Sequence, residues 1–412
     1  MSQISNNFIE NYLRVCGIIN VKEYLQPTKS NVQNPLMYLN IDEVCKIVSE
    51  NLTKKIGILS DEDVDGLCSS SMLYLFLKSL GNNPTPIFHT CSKAHGINAG
   101  NGEDKVKENL PKMDLLLIPD ASIDQEMAIQ LHQKGITICE LEHHDTKPRD
   151  YVITVNCQYQ DKTNHYACGT MVTYKFIQRY CDLYNINTPN YYDLIAIATV
   201  ADVMNMTSIE NRYYVNHFYE NFYETNSNKF VTALVNKYNK GQPPTQKDIG
   251  WRIAPLLNAV YRSGSREDVK NMFYAMVGEK DSEEVIKQLA KVKREQDKRV
   301  KEVADSINCD YYCWALKPLP FNFGLHPAFK VPQVEGEAYD TAGIAQIAQI
   351  PSRDVLISRL LGSMQSPIAN FARVMNQLAE KGGASECEAP VKEEAPAEKK
   401  FEKKFEKGEV MI

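Results

Sequence analysis

Between residues 54 and about 225 the chain alternates short apolar runs with longer segments of helical period. The runs at 56–60, 86–89, 114–119, 136–141 and 151–155 are rich in Ile, Leu and Val and bounded by polar turns, which predicts buried strands. The segments 66–80, 123–134, 169–184 and 190–203 space their apolar residues three and four apart, which predicts helices. In the first of them Leu67, Met72, Leu73, Phe76, Leu77 and Leu80 mark the buried face. Strands alternating with helices predict an α/β fold, a parallel sheet flanked by helices. Upstream, residues 1–50 read as a helical and loop-rich extension, with a turn at Asn34-Pro35 and a helix over 42–52. Downstream, 226–308 reads as helical. Its last helix, 282–307, sets Val285, Leu289, Val292, Val300 and Val303 against a face of Lys287, Lys291, Lys293, Arg294, Lys298, Arg299 and Lys301. That face suits a solvated connecting helix, and equally a contact with phosphates.

Composition narrows the class. Apolar residues make up 43% of the 412 and charged residues 24%, the balance of a soluble globular protein. A net charge of −6 gives no global attraction to nucleic acid, so any such contact must be local. The polar start, MSQISNNFIENYLRV, lacks the apolar stretch of a signal sequence, and no run approaches the ~18 apolar residues of a membrane span. Eleven cysteines are scattered without a C-x-x-C pair. Cys309 and Cys313 are the closest two and suit a pair of buried thiols. These features predict a cytoplasmic protein in a reducing compartment.

The predicted strand ends carry the chemistry. Ile56-Gly57-Ile58-Leu59 runs into Ser60-Asp61-Glu62-Asp63-Val64-Asp65-Gly66. Asp120 follows the run that ends at Pro119, and Glu142-His143-His144-Asp145 follows the run that ends at Leu141. Asp202 closes the helical stretch Ala198-Thr199-Val200-Ala201. Any one of these suits a helix cap or an acidic loop. In a parallel sheet, however, successive strand ends share one edge, where ligands bind. Carboxylates recurring there repel one another unless a hard divalent cation neutralises them.

This order of motifs resembles the DHH phosphoesterase superfamily, and within it the RecJ-like single-strand exonucleases, over about residues 50–305. Ser60 to Gly66 looks like the first motif, Pro119-Asp120-Ala121 the second and Glu142-His143-His144 the third. ATVADVMNMTSIENR, from Ala198 to Arg212, looks like the fourth, and Pro255-Leu256-Leu257-Asn258-Ala259-Val260-Tyr261-Arg262 like a later Pro-x-x-Asn-Ala-x-x-Arg segment. The resemblance implies hydrolysis of phosphodiesters at two Mn²⁺ or Mg²⁺ ions. Asp61, Asp63, Asp65, Asp120, His143 and Asp202 would hold the ions, with Asp120 bridging. His143, His144 and Asp120 would carry the chemistry, and Glu142 would orient a histidine. His144, Asn258 and Arg262 would grip phosphate. The carboxylate-rich, thiolate-free set favours manganese over zinc. Two departures stand out: Glu142 replaces the aspartate of the Asp-His-His motif, and Tyr261 replaces a glycine.

From about His326 the character changes. Residues 326–395, with the core GEAYDTAGIAQIAQIPSRDVLISRLLGSMQSPIANFARVMNQLAEK, resemble the C-terminal part of the bacterial ribosomal stalk-base protein. RecJ-like proteins carry a strand-gripping domain with a Gly-Gly-His stretch at this place, and none is seen. The expected organisation is an extension over 1–50, a DHH-type α/β domain over 51–225 and a helical region over 226–308. A junction over 309–325, a stalk-base-like segment over 326–385 and a disordered charged tail over 386–412 complete it. Three functions follow. The first is a RecJ-like 5′–3′ exonuclease on single-stranded DNA, acting in repair or recombination. The second is a phosphodiesterase for short oligonucleotides or cyclic dinucleotides. The third is a catalytically weak fusion whose C-terminal segment binds ribosomal stalk proteins.

Overall fold

The computed structural model describes residues 3–88, 112–222, 228–306, 333–334 and 337–338, with side chains between residues 8 and 302 of those ranges. The chain divides into two compact units, Met1–Ser306 with Pro320–Gly324, and Ile307–Leu319 with Leu325–Ile412. In the first, helices α1 (Gln3–Val15), α2 (Val21–Leu25) and α3 (Ile41–Glu50) precede the sheet. Asn34-Pro35 opens a single 3₁₀ turn, Pro35–Met37, because the Asn34 side chain accepts a hydrogen bond from Leu36 N at 2.9 Å.

The sheet has five strands: β1 (Ile56–Ser60), β2 (Thr85–Phe88), β3 (Leu115–Pro119), β4 (Thr137–Glu142) and β5 (Val152–Asn156). They run in the order β2-β1-β3-β4-β5, and every neighbouring pair is parallel. The carboxyl ends therefore share one edge, as the sequence predicts. The strand ends lie within two residues of expectation, and His89, assigned to the second strand, falls outside the described residues. Side chains alternate between two cores. Ile58, Leu115, Leu117, Cys139 and Leu141 point into the larger cluster, and Leu59, Leu116, Ile118 and Ile138 into the smaller one. Burial on both faces is what continuous apolar strands require.

Helix α4 (Val64–Ser79) starts two residues earlier than its apolar pattern suggests, because Asp63 caps it by accepting a hydrogen bond from Gly66 N at 2.9 Å. Helix α5 (Gln125–Gln133) covers the smaller core and is capped by Asp124. Helix α6 (Gly169–Tyr184) matches its predicted span, and α7 (Tyr192–Ala201) stops at Asp202, where Val203 takes a left-handed φ of 56°. Then come α8 (Ile209–Glu220), α9 (Lys229–Tyr238), α10 (Ala254–Ser263), α11 (Arg266–Met276) and α12 (Ser282–Ser306). A π-helical turn, Ile249–Ile253, leads into α10. On α12, Val285, Ile286 and Leu289 are buried against the preceding helices, whereas Val292 and Val300 are only partly covered.

Of the second unit the described residues are the antiparallel pair β6 (Gln333–Val334) and β7 (Glu337–Ala338). The rest of the stalk-base-like segment, the junction, the charged tail and the Cys309/Cys313 pair lie outside the described residues. Among the described residues no helix is long and apolar enough to cross a membrane. Six described cysteines are buried free thiols, and Cys16 is an exposed one.

Candidate metal centre

The sheet edge gathers the acids that the sequence scatters over 140 residues. Ligand-type atoms of Asp61, Asp63 and Asp120 lie within 4.8 Å of one another, and so do those of Asp65, His143 and Asp202. A third such group joins Asp120, Glu142, His143 and His144. Asp120 stands between the first two sets: His143 Nε2 is 3.0 Å from its Oδ1, 3.7 Å from Asp65 Oδ2 and 3.9 Å from Asp202 Oδ2. Asp61, Asp65, Asp120 and His143 are buried, while the Asp202 side chain remains 32% exposed.

Local backbone explains the convergence. Asp120 follows β3 with φ of 61°, a left-handed conformation that aspartate adopts at some cost, and its N–H is held by Leu141 O at 2.9 Å. The turn swings its carboxylate against the first residue of α6. A Cβ on Gly169 would fall 2.3–2.6 Å from that carboxylate, so the position needs glycine. A Cβ on Gly66 would meet Asp61 Cβ at 2.5 Å, which explains the glycine directly after the last aspartate. Asp65 reaches across to the N-terminus of α6, where it accepts from Gly169 N at 2.7 Å, Thr170 N at 2.8 Å and Thr170 Oγ1 at 2.6 Å. The exposed N–H groups of a helix start favour a carboxylate there.

Glu142 serves the histidine pair. Its Oε1 accepts from His143 N at 2.7 Å and His144 N at 3.0 Å, and lies 2.7 Å from His144 Nδ1. Burial pushes this carboxyl up, but the His144 hydrogen bonds and the charge of both imidazoles outweigh it and hold the group below its ordinary value. The added methylene of glutamate thus reaches His144 directly. His144 is engaged by Glu142 at Nδ1, on a side chain that stays 41% exposed. Burial lowers the His143 pKa despite Asp65, which favours the neutral imidazole that a cation needs.

The electrostatics are one-sided. Burial first, then Asp65, Asp63, Glu142 and Asp61, push the Asp120 carboxyl well above its ordinary value. Its Oδ1 is buried, makes no well-formed hydrogen bond and faces only the His143 imidazole, with Nε2 at 3.0 Å. Five carboxylates and one imidazole, two sets joined by one acid, leave negative charge in excess and fit a pair of hard divalent cations. Of the expected phosphate contacts, Asn258 sits beside this centre. Asn258 Nδ2 donates to Ala201 O at 3.5 Å, one residue before Asp202. The neighbour of Arg262, Tyr261, has its phenol pushed up to about 12, by burial and then by Asp61, Asp63 and Glu62.

Several supporting residues escape sequence reasoning. Asn156 Nδ2 donates to His144 O at 2.9 Å and Gln158 Nε2 to His143 O at 3.0 Å, fixing the histidine backbone from the end of β5. Asn156 ends a strand, as the acids do, and that position was its only signal. Deeper in α6, fully buried Lys175 pairs with Glu210, which also accepts from Gln33 N at 2.9 Å and Asn164 Nδ2 at 3.2 Å. Asn164 in turn donates to Asn211 Oδ1 at 2.8 Å. Burial lowers the Lys175 pKa, against the pull of Glu210. This network fixes the segment that follows Asp202.

Comparison with known proteins agrees with this architecture. Residues 55–199 match the DHH family, N-terminal domain, and residues 350–395 match the ribosomal protein uL10 C-terminal region. A putative SPbeta prophage-derived single-strand DNA-specific exonuclease, YorK of Bacillus subtilis (strain 168), is 29% identical over 283 residues, 64% of this chain and 46% of that protein. The large ribosomal subunit protein uL10 of Albidiferax ferrireducens is 52% identical over 62 residues, 15% of this chain and 35% of that protein. The chain thus spans about half the length of the exonuclease relatives it matches. Among solved structures, exonuclease RecJ bound to manganese superposes with a TM-score of 0.59 at 21% identity, over 67% of this chain and 71% of that one. RecJ in complex with Mn²⁺ from Thermus thermophilus gives the same TM-score and identity, over 69% of this chain and 42% of that one. The two resemblances read from the sequence are both borne out, and the shared fold is that of RecJ.

Proposed function

We propose that this chain is a metal-dependent phosphodiester hydrolase that acts on single-stranded nucleic acid, most simply as a RecJ-like 5′–3′ exonuclease on DNA. The observation that carries the reading is Asp120, a buried acid between two ligand sets, crowded by like charges and faced by the single imidazole of His143. Asp61 and Asp63 with Asp120 would hold one Mn²⁺ or Mg²⁺, and Asp65, His143 and Asp202 with Asp120 the other. Two such ions supply water activation and charge neutralisation at phosphorus.

The chain's own groups do the rest. Asp65, locked by Gly169 and Thr170, keeps its set rigid. Glu142 holds the His144 ring at Nδ1 and so sets its orientation toward the phosphate. Arg262 and Asn258 orient the phosphate, Arg262 through a charge-assisted contact. The exonuclease name of the YorK relatives supports the substrate class. A role in DNA repair is proposed from that activity alone. For the second unit, the uL10 match supports a contact with ribosomal stalk protein, which a stalk-protein binding assay on the full chain tests directly.

The deciding experiment incubates the full chain with Mn²⁺ and 5′-labelled single-stranded DNA, with a dinucleotide substrate and a chelator control alongside. Stepwise release of 5′ nucleotides supports the exonuclease. Cleavage of the dinucleotide alone points to a small-nucleotide phosphodiesterase. No metal-dependent cleavage of either substrate overturns the reading.

A further inference from the structure

A second chemically distinct feature lies in the helical region. A groove of about 470 Å³ opens between α9, the π-helical turn with the start of α10, and α12. Lys237, Arg252, Lys287, Lys293 and Arg294 line it, and among the described residues no carboxylate does. In a chain of net charge −6 that is a strong local concentration. Asp248 and Asp297 partner Arg252 and Lys293 from outside the lining. Trp251 stands at the groove with 54% of its surface exposed. The widened π turn presents it outward, while Ile249 and Ile253 on either side are fully buried. Such turns recur at functional sites.

The groove is connected to the metal centre by register. Trp251 and Pro255 line the groove together, and Pro255, Asn258 and Arg262, spaced three and four apart, share one face of α10. None of the four is buried, whereas Ile253, Leu257 and Val260 between them are. The far end of this stripe carries Asn258 against Ala201 and Tyr261 within reach of the Asp61 and Asp63 charges. Seven residues of α10 separate Pro255 from Arg262, roughly 10 Å along the axis.

We propose that this groove docks single-stranded nucleic acid: a base stacks on Trp251, Lys237, Lys287 and Arg294 hold the backbone, and the strand follows α10 to the metal centre. The inference rests on the hydrolase reading and deepens it by giving the substrate an extended path. Charge complementarity selects a polyanion. The exposed indole selects one with planar faces, since every base stacks on an aromatic ring whatever its sequence.

The test uses the full chain with Trp314→Phe, which leaves Trp251 as the only indole, since the sequence has two tryptophans. In chelator, so that no cleavage occurs, a twelve-residue oligothymidylate is titrated in. The expected result is quenching of Trp251 fluorescence on binding. In the parent sequence, Trp251→Ala should weaken binding by about 5- to 100-fold while Trp251→Phe restores most of it. Lys287→Ala and Arg294→Ala should each flatten the slope of log affinity against log salt by roughly 0.7. Binding without quenching, equal affinity of parent and Trp251→Ala, or quenching by an oligoglutamate peptide but not by the oligothymidylate would each overturn the proposal. Oligonucleotide binding at Trp251 without Mn²⁺-dependent cleavage of any substrate supports the docking site and sinks only the hydrolase reading.

Discussion

Helix α6 carries two buried polar clusters that differ in one respect. Around Lys175 a cation meets Glu210, and Gln33, Asn164 and Asn211 take up the remaining bonds, so charge and hydrogen bonds balance inside the protein. At the helix start, six residues earlier, Asp61, Asp63, Asp65, Asp120 and Asp202 crowd one imidazole, far too little positive charge to balance five acids. Burying polar groups is tolerable only when they are paired. The first cluster is complete and therefore structural. The second is unbalanced in sign, which is the signature of a site built for something the chain does not itself supply.

That contrast can be broken or sharpened by substitution. Asp120→Ala should reduce Mn²⁺-dependent cleavage to background while the metal-free protein unfolds no more easily than the parent, because it removes one of several like charges. Metal-dependent turnover close to the parent's would refute the bridging role. Lys175→Ala should do the opposite. It strands Glu210 without its cation, and breaking such a pair costs about 3–5 kcal/mol in denaturant unfolding. Glu142→Ala frees His144 and should lower activity about 10- to 100-fold at limiting Mn²⁺, whereas Glu142→Asp should preserve or raise it. Gly169→Ala drives a methyl into the Asp120 carboxylate and should cost about 1–3 kcal/mol together with metal affinity, read from unfolding with and without Mn²⁺.

The smallest expected effect is a pH trend. The Asp120 pKa is raised on folding, so the metal-free native state binds this proton more tightly than the unfolded chain does. Stability should therefore fall as pH rises from the ordinary carboxylate value of about 3.9 towards the raised one. Asp120→Asn should flatten that slope in thermal melts of metal-free protein, and Mn²⁺ should suppress it in the parent. An unchanged slope in Asp120→Asn would assign the trend to other groups.

The strands were legible because each centres on a short apolar run bounded by polar turns, and a parallel sheet places the ends together whatever lies between them. That Asp61, Asp63, Asp65, Asp120 and His143 gather at one edge was legible for the same reason, and the span of α6 from its helical period. The supports were not. Nothing local marks Gly169 as the residue facing Asp120, because that closeness depends on how α6 meets β3. Lys175 reads as one polar residue in an apolar helix until Glu210, 35 residues on, supplies its partner. The left-handed turn at Asp120 is invisible in a sequence that shows aspartate where glycine would be expected. Trp251 faces solvent because of a π turn whose residues carry an ordinary helical pattern. Tertiary geometry decides all four.

The central claim is that the acid cluster is completed by divalent cations, and direct Mn²⁺ binding tests it without reference to any substrate. Calorimetric titration of metal-free protein, paired with thermal unfolding across the same Mn²⁺ range, gives stoichiometry and stabilisation together. Two Mn²⁺ per chain are expected, with a stabilisation of about 2.7 kcal/mol per ion at a hundredfold excess over the dissociation constant, both lost or halved in Asp120→Asn. A parent protein that binds no Mn²⁺, or whose unfolding is indifferent to it, would contradict the account.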